Sequence, residues 1–349
     1  MKVVKVLLVG DDTYDMYVKA FYHAYIREGY ENVELFATNR YLDISGEGLI
    51  KYFRKAENKF AFGPGVRYVN RLLLRKVDEM KPNLVFLYSA RLICGKTVKR
   101  IKEKGSTVFI YNNDDAFAEF FPKYFWRHYR NSLCYADVGF AYRLKNITDY
   151  QQAGCSKVEL LRSYYIKERN YYIENSKANV PGVVFLGHYE NDGREKYIKA
   201  LLDKKIEVGI TKQSWEDFES GNPYLIKLEN SHELYNEMLN AAKIAVVFLS
   251  TINHDTYTRR CFEIPAVKTL MVAPYTDDLA TMFRDGEEVV FYRNKQDFVD
   301  KIEYYLEHEE DRVKIAESGY CRVNKDGHEV CDRIRQIMHT YEKLIKDKE

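Results

Sequence analysis

The sequence contains few of the residues that interrupt regular structure. Its 349 residues include 7 Pro, 18 Gly and 2 Trp, which argues against collagen-like, low-complexity and disordered chains. No apolar run approaches the roughly 20 residues that a membrane-spanning helix needs, and the basic start runs directly into a short apolar strand, unlike a signal peptide. These absences predict a cytoplasmic chain of helices and strands, for which any membrane contact would be peripheral and at the inner face.

Paired cysteines and clustered histidines are also absent from the sequence. The six cysteines form no C-x-x-C pair and are not grouped with histidine; they are Cys94, Cys134, Cys155, Cys261, Cys321 and Cys331. This spacing does not match a zinc site or a disulfide framework, and it is typical of reduced thiols in a cytosolic protein. The cysteines thus give no sign of a metal site, and no cofactor is expected.

Charge of one sign is not in excess either. Lys and Arg number 54 against 52 Asp and Glu, a net charge of +2, so a general nucleic-acid binder is not expected, although a local basic face is compatible with this balance. Apolar residues are plentiful, at 46% of the total. Because 349 residues exceed the length at which one core usually stops growing, we expect two domains.

Short apolar runs that end in glycine or polar residues recur along the chain and indicate buried parallel strands. Two of them open the halves of the chain: Val3–Val9 before Gly10, and Val183–Leu186 before Gly187. The polar stretch Arg169–Val180 between the halves is the best linker candidate. The sequence thus predicts an α/β chain with domains at residues 1–170 and 180–326, followed by a last helical segment at 327–349.

Two arginines stand where helices are predicted to begin after such strands. Arg194 follows strand Val183–Leu186, and Arg260 lies beside Thr258 in the segment that follows strand Ile244–Leu249. Ligands of open α/β sheets bind at the carboxyl ends of strands, and a helix start with an arginine suits an anion such as a phosphate. Arg194, Thr258 and Arg260 are therefore candidates for binding a phosphate group.

Adjacent carboxylates follow the strand predicted at Ser106–Tyr111. Asp114 and Asp115 come directly after two asparagines, at a strand end that would face a ligand. Two interpretations remain open: one carboxylate acts as a general base with a pKa raised by its neighbour, or one caps the helix predicted over Phe117–Tyr135. The two roles are compatible, and the sequence does not choose between the aspartates.

A basic helix with interleaved aromatic residues is predicted within residues 51–80. Arg67, Arg71 and Arg75 recur at four-residue spacing, opposite an apolar face that begins at Val66. The arginines form either a solvated helix surface or a binding surface for an anionic acceptor, or for the anionic membrane leaflet that carries it. Nucleic acid is not an expected partner, since a single basic helix stands in a near-neutral chain.

A longer motif gives these positions a family context. The chain resembles GT-B glycosyltransferases, in particular the CgeB-like (spore-maturation glycosyltransferase-like) family, over most of its length. The main match is Thr258-x-Arg260-x-Phe262-Glu263-Ile264-Pro265-Ala266, an apolar strand, and then Phe283-x-Asp285-Gly286-x-Glu288-Val289-Val290-x-Tyr292. Shorter matches stand upstream in the family's order: Phe62-Gly63, Lys81-Pro82-Asn83, Asn113-Asp114-Asp115, Phe185-Leu186-Gly187 with Arg194, and Ala242-Lys243-Ile244.

The resemblance implies the GT-B fold, two Rossmann-like domains that face a cleft, with the last helix returning to the first domain. It implies transfer of a sugar from a nucleotide diphosphate-sugar such as a UDP-sugar to a glycan, lipid-linked or protein acceptor, as in polysaccharide biosynthesis. No Asp-x-Asp metal motif in the family's setting is present, so the expected reaction is metal-independent and the nucleotide-sugar is its substrate. Gly187, Arg194 and Arg260 fall on the donor side, and Asp114 and Asp115 on the acceptor side.

The resemblance also implies roles for single residues. Retaining GT-B enzymes carry a Glu-x7-Glu pair, in which the later Glu binds the donor ribose and the earlier one a sugar hydroxyl. Glu263 matches the later position, and Asp255, shorter by a methylene, stands at the earlier one. Lys268 replaces a usual Gly and either supplies a charge to the diphosphate or reaches solvent.

Two other functions remain open. One is a GT-B sugar-nucleotide epimerase, which would need no acceptor. The other is a non-catalytic module that binds a sugar nucleotide or a glycan, which would suit the departures from the family at Asp255 and Lys268.

Overall fold

The computed structural model of the chain describes residues 4–42, 44, 48–229 and 231–347. The chain divides into two compact units. Unit 1 contains Met1–Arg162 and Val330–Glu349, and unit 2 contains Ser163–Glu329. The chain therefore leaves unit 1 after residue 162 and re-enters it at residue 330.

In the described part of unit 1, six parallel strands form one sheet in the order β2-β1-β3-β4-β5-β6. The strands are β1 Val6–Gly10, β2 Val33–Ala37, β3 Leu84–Tyr88, β4 Thr107–Asn112, β5 Val138–Ala141 and β6 Val158–Leu160. Every residue of β1, β3, β4 and β5 is buried, as expected for strands covered by helices on both faces. Val3 of the first predicted strand lies outside the described residues.

The helices of unit 1 in chain order are α1 Val18–Arg27, α2 Thr38–Tyr41, α3 Gly48–Phe60, α4 Pro64–Met80, α5 Gly95–Glu103, α6 Arg127–Ser132, α7 Leu144–Gln152 and, after those of unit 2, α14 Val330–Lys346. Helix α14 packs against α1. Arg335 Nε donates to Glu28 Oε2 at 2.9 Å, and the thiol of Cys331 lies 3.9 Å from the carbonyl oxygen of Ala24. The last helical segment thus begins at Val330 and forms part of unit 1.

The described part of unit 2 contains a second sheet of six parallel strands, in the order β12-β11-β10-β7-β8-β9. Its strands are β7 Val183–Phe185, β8 Val208–Thr211, β9 Leu225–Leu228, β10 Ile244–Val246, β11 Leu270–Pro274 and β12 Val290–Tyr292. Its helices are α8 Arg194–Asp203, α9 His232–Ala241, α10 Arg260–Ala266, α11 Asp277–Met282, α12 Lys295–Glu307 and α13 Glu309–Lys325. The predicted α/β class with two Rossmann-like domains is confirmed.

Each sheet has one strand whose two neighbours are reached by connections that run in opposite directions. In unit 1, β1 lies between β2 and β3, and in unit 2, β7 lies between β8 and β10. Such a switch point leaves a crevice at the carboxyl ends of the strands, where ligands of open α/β sheets bind. The residues that follow β1, β3, β7 and β10 are therefore best placed to form a site.

The segment predicted as one helix over Phe117–Tyr135 contains only a short helix, so that prediction is wrong. Turns occupy most of residues 115–126, followed by α6 and a 3₁₀ turn at Leu133–Tyr135. Asp115 Oδ1 accepts a hydrogen bond from the backbone N–H of Phe117 at 3.0 Å, which stabilises a turn, and Pro122 removes a backbone donor. These local features favour turns over a continuous helix in this segment.

The predicted linker Arg169–Val180 lies inside unit 2, and its described residues form neither helix nor strand. Its backbone is held by α9. The N–H of Tyr171 donates to Asn236 Oδ1 at 3.3 Å, and the N–H of Ile173 donates to Asn240 Oδ1 at 2.7 Å. The polar composition of this stretch therefore reflects a segment fixed by side-chain hydrogen bonds.

Candidate functional site

The carboxyl ends of β7 and β10 lie side by side at the switch point of unit 2. The guanidinium of Arg260, at the start of α10, lies against the chain after β7 at Gly187, where a side chain would crowd it and the ring of Phe185. A Cβ at that position would lie 3.0 Å from Nη2 of Arg260 and 2.6 Å from the ring of Phe185. Gly187 and Arg260, both predicted on the donor side, are thus brought together.

Arg260 is partly exposed and forms no ion pair with the described residues. Its Nε is buried without a hydrogen-bond partner, and its guanidinium carbon lies 5.7 Å from the ring centroid of Phe185. A buried polar group left unpaired costs about 1–3 kcal/mol, and a charged group costs more. An anion placed beside Arg260 would supply the missing partner and lower that cost.

Arg194, the other predicted phosphate-binding arginine, is buried, and its charge is paired with a carboxylate. Its side chain is 2% exposed, and its Nε and Nη2 donate to the two carboxylate oxygens of Asp192 at 2.8 and 2.5 Å. Its Nη1 donates to the carbonyl oxygen of His188 at 2.6 Å. The charge of Arg194 is therefore compensated within the loop His188–Gly193, and the side chain fixes the shape of that loop.

Glu263 lies on α10, and both of its carboxylate oxygens have partners. Oε2 accepts a hydrogen bond from the hydroxyl of Tyr235 at 2.9 Å, and Oε1 lies 3.1 Å from Nε of Arg259. Burial raises the pKa of Tyr235 well above its usual value of 10, and the charge of Glu263 raises it further. The phenol therefore stays protonated at neutral pH and donates a hydrogen bond that holds the carboxylate in one orientation.

Asp255 and Thr258, also predicted on the donor side, lie in the loop before α10, and both are partly exposed. The backbone N–H of Asp255 donates to the carbonyl oxygen of Ser250 at 2.9 Å, and the carbonyl oxygen of Thr258 accepts from the N–H of Cys261 at 3.0 Å. Helix α10 begins at Arg260 and has seven residues. The positive group at this position is therefore the side chain of Arg260, not the start of a long helix.

Sequence reasoning missed the residues that join the loops of this edge. Ser250 Oγ donates to Glu190 Oε2 at 2.6 Å, which links the loops after β7 and β10. Thr256 Oγ1 donates to Asp278 Oδ2 at 2.6 Å, which links the second loop to α11. Isolated Ser, Thr and Glu residues in loops carry no local signal, and only Asp278, in an acidic first helical turn, stands out in the sequence.

Lys268 lies at the opposite edge of the sheet, before the amino end of β11, so the structure does not bring it to the donor-side residues. Its Nζ lies 4.7 and 5.1 Å from the ring centroids of Tyr172 and Tyr320, which is a cation–π arrangement. The backbone φ of Lys268 is +59°, a left-handed conformation that glycine adopts without strain. That conformation explains why glycine is usual here in the family that the sequence resembles.

The switch point of unit 1 carries a cavity of about 310 Å³. It is lined by residues after β1, β3 and β4, which are Asp11, Thr13, Tyr14, Tyr17, Tyr88, Ser89, Asn113 and Asp114. Ser89 adopts a φ of +44°, an unfavourable conformation of the kind that clusters at functional sites. Aromatic rings beside hydroxyl, amide and carboxylate groups suit a polar ligand with an apolar face.

The two adjacent aspartates, between which the sequence did not choose, have different surroundings in the structure. Asp114 is partly exposed and lines this cavity. Asp115 is fully buried: its Oδ1 accepts from Asn146 Nδ2 at 2.9 Å, and its Oδ2 lies 3.3 Å from Lys145 Nζ. Asp115 therefore stabilises the turn after β4, and Asp114 is the carboxylate that a ligand in the cavity would meet.

The three arginines of the predicted basic face all lie on the exposed side of α4. Arg67, Arg71 and Arg75 are exposed, and the structure gives them no ion pair with the described residues. The opposite side of the helix is buried at Val66, Val69, Leu73 and Val77. The arginines are thus free to contact a partner outside unit 1.

No metal-binding cluster occurs among the described residues, where no three His, Cys, Asp or Glu side chains are grouped in a suitable way. All six cysteines are free thiols. Within the same part of the chain, no helix is both long and apolar enough to cross a bilayer. Metal independence stays a prediction.

A protein-family model for glycosyl transferase-like proteins matches residues 194–339. The matched segment includes Arg194, Arg260 and Glu263, and it covers less than half of the chain. Among curated proteins, no sequence matches significantly.

Solved structures match nearly the whole chain. Alr3699/HepE of Anabaena, solved with UDP and glucose, has a TM-score of 0.72 at 12% identity over 97% of this chain and 100% of its own. Sucrose-phosphate synthase (tll1590) of Thermosynechococcus elongatus gives 0.75 at 12% identity over 98% and 100%. A Listeria monocytogenes structure described as a UDP-N-acetylglucosamine 2-epimerase gives 0.57 at 9% identity over 99% and 98%. At these identities the likeness concerns the fold alone, and the predicted GT-B fold is confirmed.

Proposed function

We propose that this chain is a glycosyltransferase that moves a sugar from a nucleotide diphosphate-sugar, with UDP as the nucleotide, to a glycan, lipid-linked or protein acceptor. The observation that carries the proposal is the guanidinium of Arg260 beside Gly187 at the switch point of a sheet, where its Nε has no hydrogen-bond partner and no ion pair joins it to the described residues. A fixed cation there stabilises the negative charge that develops on a departing nucleoside diphosphate. The family match over residues 194–339 and the UDP bound to HepE support this assignment.

Within this proposal, the donor is held by three groups of unit 2. Arg260 contacts the diphosphate, and Glu263 accepts hydrogen bonds from the ribose hydroxyls. Asp255, in the loop before α10, contacts a hydroxyl of the transferred sugar. The partners of Glu263 support its part in this scheme, because a carboxylate whose orientation is already fixed loses little freedom when a ligand binds.

On the acceptor side, we assign Asp114 as the base that takes the proton of the attacking hydroxyl group, with the tyrosine-lined cavity beside it as the acceptor subsite. Positioned general bases contribute about 10²–10⁴-fold to a rate. We propose that no metal ion takes part, because Arg260 supplies positive charge where a divalent cation would otherwise act. A cytoplasmic location and a place near the CgeB-like group belong to the same proposal, and the free thiols support a reducing compartment.

The first test is ligand binding by the purified full-length chain. Thermal unfolding is followed with UDP, GDP, ADP, CDP and TDP, since a ligand at about 100 times its Kd stabilises the folded state by about 2.7 kcal/mol. We expect UDP to raise the unfolding midpoint and Arg260→Ala to abolish the rise. Arg284→Ala, which removes an exposed arginine of the same unit, is the matched control. A chain that none of the five nucleotides stabilises would contradict the proposal.

A sugar-nucleotide epimerase is the second candidate, favoured by the fold match to the Listeria monocytogenes structure. Incubation of UDP-N-acetylglucosamine alone, followed by proton NMR, separates the two. An epimerase interconverts the sugar without an acceptor, whereas a transferase leaves it unchanged until an acceptor is added. Nucleotide binding without turnover on any acceptor would instead favour a non-catalytic binding module.

A further inference from the structure

Helix α3 of unit 1 directs its apolar side toward solvent. Leu49, Tyr52, Phe53 and Phe60 recur at the spacing of one helical face and are 87%, 72%, 55% and 46% exposed. A surface helix of a globular protein normally turns such a stripe toward the core. The orientation of α3 is the reverse of this rule.

The side of α3 that faces the protein is polar. Glu57 is buried, and its carboxylate accepts hydrogen bonds from the N–H of Gly65 at 2.7 Å and from Nη1 of Arg54 at 2.9 Å. Asn58 accepts from Arg91 through its backbone oxygen at 2.6 Å and through its side-chain oxygen at 2.7 Å. These hydrogen bonds fix the rotation of the helix, so the apolar stripe cannot turn inward without breaking them.

Between residues 48 and 77 the exposed charges are all positive, and the exposed acids Asp78 and Glu79 follow in the last turn of α4. Glu57 is the only acidic residue in the sequence between residues 48 and 77, and it is buried and paired with Arg54. Five exposed cations in this stretch have no ion pair with the described residues: Lys55, Lys59, Arg67, Arg71 and Arg75. Arg54 of α3 lines the same shallow cavity as Arg67 and Arg71 of α4, so the two helices form one continuous surface.

We propose that this surface, the apolar stripe of α3 with the arginine face of α4, docks on an anionic lipid bilayer. The apolar side chains enter the headgroup region, and the arginines contact lipid phosphates, as for an amphipathic helix that lies in the plane of a membrane. Charge complementarity favours a bilayer, since the exposed charges of α3 and of α4 as far as Arg75 are all cations. The proposal concerns unit 1 alone and does not depend on the reaction assigned above.

The test is co-sedimentation of the full chain with vesicles of phosphatidylcholine, alone or with about one third phosphatidylglycerol. One variant, Leu49→Ser with Tyr52→Ser and Phe53→Ser, removes apolar groups at constant charge. A second, Arg67→Gln with Arg71→Gln and Arg75→Gln, removes charge. The matched control removes three exposed cations of unit 2 through Lys295→Gln, Lys314→Gln and Lys325→Gln.

We expect the parent and the control to bind the anionic vesicles and not the neutral ones. Each docking variant should raise the apparent Kd at least about tenfold, and about 1 M salt should release the parent, because the Debye length then falls to about 3 Å. The altered side chains are exposed, so the unfolding midpoint and the affinity for UDP should not change. UDP affinity also separates a failure of this proposal from a failure of the proposed function.

The proposal is overturned if the parent does not prefer anionic vesicles, or if both docking variants bind as the parent does. A third result would overturn it in favour of another partner. If the chain forms dimers that the serine variant abolishes, and no form binds vesicles, the surface is an interface between two copies of the chain.

Discussion

Two arginines at the same edge of the unit 2 sheet end in opposite electrostatic states. Arg194, after β7, is closed into a two-point pair with Asp192 and is 2% exposed. Arg260, after β10, has no such partner, because Glu263, three residues further along α10, is engaged by Arg259 and Tyr235. The two residues share one sequence pattern, an arginine at a helix start after a strand, and differ in the carboxylates within their reach.

The comparison teaches that a pattern of this kind predicts a position but not a role. An arginine whose charge is compensated locally fixes the shape of a loop, and its loss costs stability. An arginine that the fold leaves unpaired costs stability where it stands and contributes binding when an anion arrives. Substitutions should therefore separate the two residues by what they damage.

The largest effect should come from Arg194→Ala. It leaves the carboxylate of Asp192, 5% exposed, without its partner, and breaking a buried ion pair costs about 3–5 kcal/mol. Urea unfolding followed by the fluorescence of Trp215, in a Trp126→Phe background, reports on unit 2. Adding Asp192→Ala should restore part of the stability, and a loss of less than about 1 kcal/mol in the single variant would contradict the structural role.

Arg260→Ala should come next and should act on binding. We expect it to weaken UDP binding by about 2–4 kcal/mol, the scale for removing one partner of a close charge pair, while uridine binding and the stability of unit 2 are retained. Isothermal titration calorimetry with both ligands measures this difference, and Arg260→Lys should keep part of the affinity. Equal losses of affinity for UDP and uridine would show that Arg260 does not contact the diphosphate.

Glu263→Ala should have a smaller effect than Arg260→Ala, and it should not distinguish UDP from uridine. The loss of hydrogen bonds to the ribose should weaken UDP and uridine alike, by about 1–3 kcal/mol. Tyr235→Phe, which removes one hydrogen bond to Glu263, should weaken both in the same way by a smaller amount. Calorimetry on the two variants checks this, and affinities equal to those of the parent would exclude Glu263 from the nucleoside site.

Lys268→Ala should have the smallest effect. Its cation–π contacts with Tyr172 and Tyr320 contribute about 0.5–1 kcal/mol each at exposed positions, so the substitution should lower the stability of unit 2 slightly. The affinity for UDP should not change, because Lys268 lies at the other edge of the sheet. A clear loss of UDP affinity would show that Lys268 contributes to donor binding after all.

The fold was predictable because its signals are local. The predicted strands before Gly187 and at Ile244–Leu249 are apolar, and the polar residues that follow them mark the carboxyl edge of the sheet. The positions of Gly187 and Arg260 at this edge follow from the same pattern, whereas Glu263 was assigned through the resemblance to GT-B glycosyltransferases. The pairing of Arg194 was not predicted, although Asp192 stands two residues before it, because the contact requires a loop whose last residue, Gly193, has a φ of +91°.

Features that depend on tertiary packing could not be predicted. Trp215 is buried, with its Nε1 donating to the carbonyl oxygen of Gly187 at 3.1 Å, a contact between residues 28 positions apart that no local pattern indicates. The periodicity of α3 defines an apolar and a polar side but does not state which side faces the protein. That choice is made by contacts with Gly65 and Arg91, which lie outside the helix.

The return of the chain to unit 1 in helix α14 has a consequence for biosynthesis. Unit 2 is continuous in sequence. In unit 1, α1 contacts Cys331 and Arg335 of α14, which are synthesised after all of unit 2. Domains generally fold as units during translation, the N-terminal one first, but here the C-terminal unit can be complete while the N-terminal one still exposes part of its core. A truncation before Val330 would therefore leave every residue of unit 2 in place and remove α14 from unit 1.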